Sequence, residues 1–199
     1  AWNEFTGDGI VIGVVDDGID YDNPDLSPNF LSAYSYDYCG DDSIVMPSDS
    51  SGEGIVDWHG TAVAGIVAGK GDNEVGIAGV AYNASLVGLR LVAGDCEYDI
   101  ENEHTLNDLA ISETLVHKLE QIDVYTNSWG PLDAYMEDGT PVYTIGGMGP
   151  LSAASIEYGI NEGRNGLGAI YTWANGNGLY YDDQSNKDSF ANSRYTIAV

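Results

Sequence analysis

The sequence predicts an α/β fold with a mainly parallel sheet, and two observations support this. Short apolar runs rich in β-branched residues alternate along the chain with segments of helical character, which is the pattern of strand–helix–strand units. Polar clusters with the sequences DDGIDYD, SWGPLD and NGNG directly follow three of those runs. Because parallel sheets place their sites at the carboxyl ends of strands, the clusters indicate where a site lies.

Each predicted element has its own local signal. The run GIVIGVVD, residues 9–16, stays apolar until DDG and is typical of a buried strand. The small residues of HGTAVAGIVAG predict a helix over residues 61–69 that is buried on most sides, and His59 stands at its N-terminal end. Apolar residues at helical spacing predict a second helix over residues 105–121. The remaining predictions are strands over residues 85–92, 123–129, 168–175 and 195–199, and a helix over residues 151–163.

The composition indicates a folded, strongly acidic chain. Its 199 residues, 43% of them hydrophobic, are enough for one domain with a substantial core. Six Lys and Arg against 32 Asp and Glu give a formal net charge of −26. This charge argues against nucleic acids and anionic membranes as partners and favours cations or basic peptides. Solubility in a salty or extracellular medium is an equally good interpretation of it.

The two cysteines, Cys39 and Cys96, are compatible with a single disulfide in an exported protein. The sequence does not establish that this bond exists or that each is the other's partner. No Cys-x-x-Cys is present, so a zinc ribbon or a thioredoxin-type site is not expected.

Three side chains at predicted element ends form a candidate catalytic group. Asp16 ends the first predicted strand and His59 opens a helix, so the carboxylate could accept the imidazole N–H and fix its tautomer. Asn177 follows a later strand, where its amide could donate to a developing oxyanion. A core histidine with a satisfied hydrogen bond is the alternative for His59. Spacing alone leaves both interpretations open.

Four segments in order, VVDDGIDYDNPDL, HGTAVAGIVAG, NSWGP and WANGNG, carry a family resemblance. They resemble the Asp, His, substrate-strand and oxyanion-Asn blocks of the subtilisin-like serine peptidases. The segments DDGID, GVAYNASLVGLRL, NSWGPLD and GRNGLGAIYTWANGNG are similar to the kexin and furin branch. The resemblance implies a three-layer subtilisin-like fold in which Asp16 orients His59, the general base, and Asn177 stabilises the oxyanion. The backbone residues that it implies for pairing with an extended substrate are Ser128, Trp129 and Gly130.

The resemblance covers nearly the whole chain and implies that residues 1–199 are the N-terminal and central part of one peptidase domain. In the family the nucleophilic serine lies in a GTS block downstream of the strand that YTIAV resembles, and no GTS occurs here. We therefore expect two members of the triad and the oxyanion amide in this chain. The serine is expected in a further segment.

The segment GKGDNEVGIAGVA, residues 69–81, resembles the calcium loop of the family. The ligands that this implies are the Asp25 carboxylate, the Asn73 side chain and the carbonyl groups of Gly71, Val75 and Ile77. Oxygen ligands suit Ca²⁺ better than a transition metal. A glycine-rich turn between a helix and a strand is the alternative. For a second calcium ion, the resemblance implies Asp133 and Asp183.

Acidic residues beyond the motifs imply a preference for basic substrates. Asp133 and Asp188 match acids that pair with a P1 Arg in the kexin and furin branch, and Asp17 matches an acid that faces P2. Carboxylate–guanidinium pairs are directional and strong where water is excluded. The resemblance thus implies a secreted, calcium-dependent serine endopeptidase that cleaves after basic residues, with a propeptide or chaperone as a candidate partner. The alternatives are a broad-specificity peptidase of the same fold and an inactive scaffold that binds calcium or peptides.

Overall fold

The strands form one parallel sheet in the computed structural model of the chain, which describes residues 2–48, 57–94, 96, 107–131, 148–178 and 184–199. Its elements in chain order are β1 (Val11–Asp16), β2 (Tyr36–Asp37), α1 (His59–Ala68), β3 (Ser85–Arg90), α2 (Asp108–Leu115), β4 (Val124–Asn127), α3 (Pro150–Gly166), β5 (Ile170–Trp173) and β6 (Ile197–Ala198). The strand order is β2–β3–β1–β4–β5–β6, and each of these neighbouring pairs is parallel. The predicted α/β class and parallel sheet are confirmed.

Helices cover both faces of the sheet, so the described chain has three layers. Successive residues of a strand point to opposite faces, and β1 supplies both cores in this way. Val14 packs with Ala64 and Ala68 of α1, whereas its neighbour Val15 packs with the core beneath α2 and α3. The central strand is therefore buried on both faces, which explains its uninterrupted apolar sequence.

Helix α1 begins at His59, two residues before the predicted span of 61–69, and one stripe of it is buried instead of most sides. Its buried residues are Gly60, Ala64 and Ala68. Small size matters most at the first of these, because a Cβ on Gly60 would lie 2.3 Å from the Gly18 carbonyl oxygen. This close approach places the first turn of α1 on the chain that leaves β1.

Helix α2 is shorter than the sequence predicts. The predicted span was 105–121, whereas α2 ends at Leu115, and residues 105 and 106 lie outside the described residues. Lys118 has a φ of 50°, which a continuing α-helix does not contain, and the Ile122 amide bonds back to its carbonyl. Leu119, whose spacing looked helical, packs against the core from this turn.

The other predicted elements match the structure within a few residues at their ends, and one strand was missed. The missed strand is β2, whose two residues are too short to show alternation. A disulfide joins Cys39 to Cys96, a pairing that the sequence leaves open. Within the described ranges, no helix is both long and apolar enough to cross a membrane.

Candidate active site

Asp16 and His59 form a hydrogen-bonded pair at the carboxyl end of β1. The Nδ1 atom of His59 lies 2.8 Å from Oδ1 and 3.0 Å from Oδ2 of Asp16. The Asp16 side chain is 3% exposed, whereas the His59 side chain is 52% exposed. A carboxylate that accepts Nδ1–H fixes the tautomer whose lone pair is on Nε2, the form that a general base needs.

The buried position of Asp16 changes its titration. Burial, the largest influence, raises the pKa of the Asp16 carboxyl to about 6. The hydrogen bond and charge of His59 and the hydrogen bond from the Asp17 amide act in the opposite direction. The ionised carboxylate is the form that can stabilise an imidazolium.

The neighbouring acid, Asp17, is 8% exposed and contacts the start of α1. Its Oδ2 accepts the His59 amide at 3.0 Å, and its Oδ1 accepts the Gly60 amide at 2.7 Å. The N-cap residue, Trp58, makes no side-chain capping bond, and Asp17, which directly follows β1, supplies the acceptors instead. The sequence did not predict these bonds. The predicted contact of Asp17 with a P2 residue stays a prediction.

A buried arginine, Arg90, lies behind Asp17. Its Nε donates to the Asp17 carbonyl oxygen at 3.2 Å, and its terminal nitrogens donate to Asp37 and to the Ser48 hydroxyl, each at 2.9 Å. Its side chain is only 4% exposed. The sequence analysis did not predict a role for this residue. A signal was available, since Arg90 is a charged side chain inside the apolar run SLVGLRLV, and arginine is rarely buried unless it is paired.

The predicted substrate segment, Ser128, Trp129 and Gly130, directly follows β4 at the same edge of the sheet as Asp16. The Trp129 ring packs edge-on against Trp173 of β5, with 4.7 Å between ring centroids. Gly130 is exposed and lies beside Asp188, because a Cβ on it would be 3.1 Å from Asp188 Oδ2. The structure therefore brings the predicted substrate backbone next to one predicted specificity acid.

Asp188 also shapes the chain that follows it. Its Oδ1 accepts the amides of Phe190 at 2.7 Å and Ala191 at 3.3 Å. The other two predicted acids near the P1 side chain, Asp133 and Asp183, lie outside the described residues. Their predicted roles in P1 recognition and in a second calcium site stay predictions.

Asn177 is exposed and lies four residues beyond the end of β5. Because β5 pairs with β4 and β4 pairs with β1, all in parallel, Asn177 follows the same edge of the sheet as the Asp16–His59 pair. That position is the one expected for a group that meets a substrate bound at this edge. Its role as an oxyanion donor stays a prediction.

The loop after α1 closes around Asp25, which is 7% exposed. The Asn73 side-chain amide donates to Asp25 Oδ1, and the Ile77 backbone amide donates to Oδ2, both at 2.9 Å. Residues 70–78 line an open pocket of about 220 Å³. Three residues of the predicted calcium site thus lie together here, through N–H groups of Asn73 and Ile77, and the binding of calcium by their oxygens stays a prediction. The other two, Gly71 and Val75, belong to the same loop, and the Val75 amide donates to Asn73 Oδ1 at 3.2 Å.

Comparison with known proteins decides the family. Residues 7–199 match the family model of the peptidase S8 group, described as the subtilase family. The chain belongs to the subtilase family. This confirms the resemblance that the Asp, His, substrate-strand and oxyanion-Asn segments carry.

Curated relatives of this subtilase include a proprotein convertase and a furin-like protease. Human "Proprotein convertase subtilisin/kexin type 6" is 40% identical over 201 residues, which cover 100% of this chain and 19% of the relative. Drosophila melanogaster "Furin-like protease 2" is 38% identical over 200 residues, which cover 100% of this chain and 11% of the relative. The chain therefore spans a fifth or less of the length of these two relatives.

Solved structures support the fold of this subtilase. A protease structure from Pseudoalteromonas arctica superimposes with a TM-score of 0.69 at 23% identity, covering 99% of this chain and 57% of that one. At this identity the likeness shows the fold alone. Together with the match to the subtilase family model, it confirms the predicted subtilisin-like architecture.

Proposed function

We propose that the protein containing this chain is a serine endopeptidase that cleaves peptides after basic residues. The observation that carries the proposal is the Asp16–His59 pair, in which a buried carboxylate holds Nδ1 of a half-exposed imidazole. Membership of the subtilase family supports serine peptidase chemistry. The substrate segment after β4 lies at the same edge of the sheet and supports a peptide as substrate.

In the proposed reaction, His59 takes a proton on Nε2 from a serine hydroxyl while the serine oxygen attacks the scissile carbonyl. It then donates that proton to the leaving amine, and a water molecule completes hydrolysis of the acyl-enzyme in the same manner. Asp16 stabilises the imidazolium that forms in each step. Asn177 donates to the oxyanion. The serine is proposed to lie in a segment beyond residue 199.

The proposed preference for P1 Arg or Lys rests on Asp188 and on the overall charge. The carboxylate of Asp188 lies beside Gly130 of the substrate segment, where it can pair with a basic side chain. A formal net charge of −26 attracts basic peptides over a longer range. The proposal includes Asp133 as a second acid for the same side chain and Asp17 as an acid for P2.

We also propose that a calcium ion binds the loop after α1. The donors there fit it, because Asp25, Asn73 and the loop carbonyl groups of Gly71, Val75 and Ile77 offer only oxygen. Asp25 is the single carboxylate among these proposed ligands, and no group of three or more His, Cys, Asp or Glu side chains suited to a metal occurs among the described residues. The ion would neutralise Asp25 and brace the loop against α1. Asp133 and Asp183 are proposed for a second ion.

Secretion is part of the proposal. The Cys39–Cys96 disulfide supports it, because such bonds persist mainly in oxidising compartments. A propeptide or chaperone stays a prediction.

The test is a pair of peptide assays on the full-length protein, with Arg or Leu at P1 and with or without a calcium chelator. We expect cleavage after Arg that is lost in the chelator. Equal cleavage of both peptides would leave a broad-specificity peptidase and contradict the basic preference. Cleavage of neither peptide, together with no reaction with a serine-directed probe, would indicate an inactive scaffold.

A further inference from the structure

We propose that Asp17 is a positioning residue for His59, which fixes the backbone from which the general base projects. The inference rests on the proposed peptidase function and deepens it. It assigns Asp17 a role that requires no contact with the substrate. The P2 contact predicted from the sequence is a different role, and the two have different experimental consequences.

The hydrogen bonds of Asp17 reach the backbone of the base itself. One carboxylate oxygen accepts the amide of His59 at 3.0 Å, and the other accepts the amide of Gly60 at 2.7 Å. The first amides of a helix have no partner within the helix, and the N-cap residue Trp58 makes no side-chain cap bond. Asp17 therefore satisfies amides at the start of α1 that the helix cannot satisfy.

Asp16 and Asp17 together hold His59 at two points. Asp16 accepts a hydrogen bond from Nδ1–H of the imidazole, and Asp17 accepts one from the main-chain N–H of the same residue. The Asp17 amide also donates to Asp16 Oδ1 at 2.9 Å, so the two acids are fixed relative to each other. A general base must lie within hydrogen-bond reach of the proton it abstracts. Freedom at the start of α1 would move the ring away from that position.

Asp17 is itself held in place. Arg90, buried in β3, donates from Nε to the Asp17 carbonyl at 3.2 Å. The absence of a side chain on Gly60 allows the contact, since a Cβ there would lie 3.0 Å from Asp17 Oδ1. At 8% exposure, Asp17 has both oxygens directed at main-chain amides. These constraints suit a group that fixes geometry.

The test uses the full-length protein with three replacements, Asp17→Ala, Asp17→Ser and Asp17→Asn. Ser and Asn can accept a helix amide without carrying charge, whereas Ala cannot accept one. Each variant is assayed on two peptides with Arg at P1, one with Arg at P2 and one with Ala at P2. We expect Asp17→Ala to lose about 10- to 100-fold in kcat on both peptides, because small displacements of a catalytic group have costs of this size. Asp17→Ser and Asp17→Asn should recover part of that loss on both peptides.

A matched control is available at a second helix. The Asp108 carboxylate accepts the amides of Leu151 and Ser152 at the start of α3, which is the same type of contact. Asp108→Ala should lower the melting temperature and leave kcat unchanged, because this contact does not involve His59. A kcat loss in both variants would indicate general destabilisation and overturn the proposal.

Two further outcomes would also overturn the proposal. One is a loss that is confined to the peptide with Arg at P2 and is equal in all three Asp17 variants. This result would mean that Asp17 acts only by pairing with the charged P2 side chain. The other is unchanged kcat in Asp17→Ala. If Asp17→Ala does not fold, Asp17→Ser carries the test, with a partial loss of kcat on both peptides as the expected result. Failure of the wild-type protein to cleave either peptide would instead contradict the proposed function.

Discussion

At the scale of single residues, the titration of Asp16 sets an expectation for the pH dependence of activity. Its pKa is raised to about 6, chiefly by burial. Above that pH the carboxylate is ionised and can stabilise the imidazolium of His59, whereas below it the protonated carboxyl cannot. We predict that kcat/KM of the full-length protein falls as the pH drops through about 6. The substrate for this measurement is a peptide that contains Arg at P1 and has uncharged ends.

The control for this prediction is Asp16→Asn. It should lower kcat by about 10⁴-fold at neutral pH, a size typical of Ser–His–Asp peptidases rather than one obtained from this structure. A value of kcat/KM that stays constant down to pH 5 in the wild-type protein would contradict the role given to the ionised Asp16 carboxylate.

Asp188 makes a separate prediction about specificity. Replacement by Asn keeps an oxygen that can accept the Phe190 amide but removes the charge beside Gly130. We predict a fall of about 10- to 100-fold in kcat/KM for a P1 Arg peptide, the worth of one charge-assisted hydrogen bond. Cleavage of a peptide with Leu at P1 should change little. Equal losses on both peptides would mean that Asp188 acts only on the local fold.

Single residues also show which contacts the sequence can predict and which it cannot. Asp16, His59 and Asn177 are candidates because each sits in a local motif at an element end, and the structure brings the first two into contact. Asp17 and Arg90 act through partners more than forty residues away, so no local pattern shows their hydrogen bonds. Such contacts depend on which strands become neighbours.

At the scale of elements, α3 depends on a carboxylate from α2. Asp108 accepts the amides of Leu151 and Ser152 and the hydroxyl of Ser152. Asp108→Ala should lower the free energy of unfolding by about 0.5–2 kcal/mol, as for other lost helix caps. Chemical denaturation of the folded protein at neutral pH measures this difference.

The same contact has a defined pH dependence. Partial burial acts to raise the pKa of Asp108, but the hydrogen bonds from Ser152 and Leu151 lower it overall. A lowered pKa means that the stabilisation is complete above the ordinary value of 3.8 and is lost as the pH falls through the lowered one. The difference between wild type and Asp108→Ala should therefore shrink in acid. A constant difference would contradict the capping role.

The loop after α1 gives an element-scale test of calcium binding. We predict that calcium raises the melting temperature of the wild-type protein and not that of Asp25→Ala, because Asp25 is the single charged group among the proposed ligands of this ion. Magnesium at the same concentration is the control ion, since its geometric demands are stricter. An equal rise in both proteins would show that the stabilising ion binds elsewhere.

Elements were predicted well where one local signal dominates. The apolar run of β1 gave the correct element type, and the helix predicted over residues 151–163 is α3. Helix α2 was predicted too long because Leu119 keeps helical spacing, although Lys118 adopts a left-handed conformation. The turn is needed to bring the chain back to β4 in the sheet, a requirement that exists only in the assembled fold.

At the scale of the whole molecule, strand order explains how distant motifs meet. The parallel neighbours β1, β4 and β5 deliver Asp16, the substrate segment and Asn177 to one edge of the sheet. Family resemblance predicted that meeting, whereas composition and spacing alone reached only an acidic α/β domain with an Asp–His pair. The acidic charge of the whole chain is in keeping with the basic substrates proposed above.

The most direct measurement is labelling of the full-length protein by a fluorophosphonate, a probe that reacts with activated serines. The wild-type protein is compared with His59→Ala and with a control variant, His117→Gln. His117 has other partners: its Nε2 donates to the Tyr34 carbonyl, and its Nδ1 is hydrogen-bonded to the Tyr38 hydroxyl. We predict labelling of the wild type and of the control, and labelling at least about 10³-fold slower in His59→Ala. Equal labelling of His59→Ala and wild type, or no labelling of the wild type, would contradict the assignment of His59 as the general base of a serine peptidase.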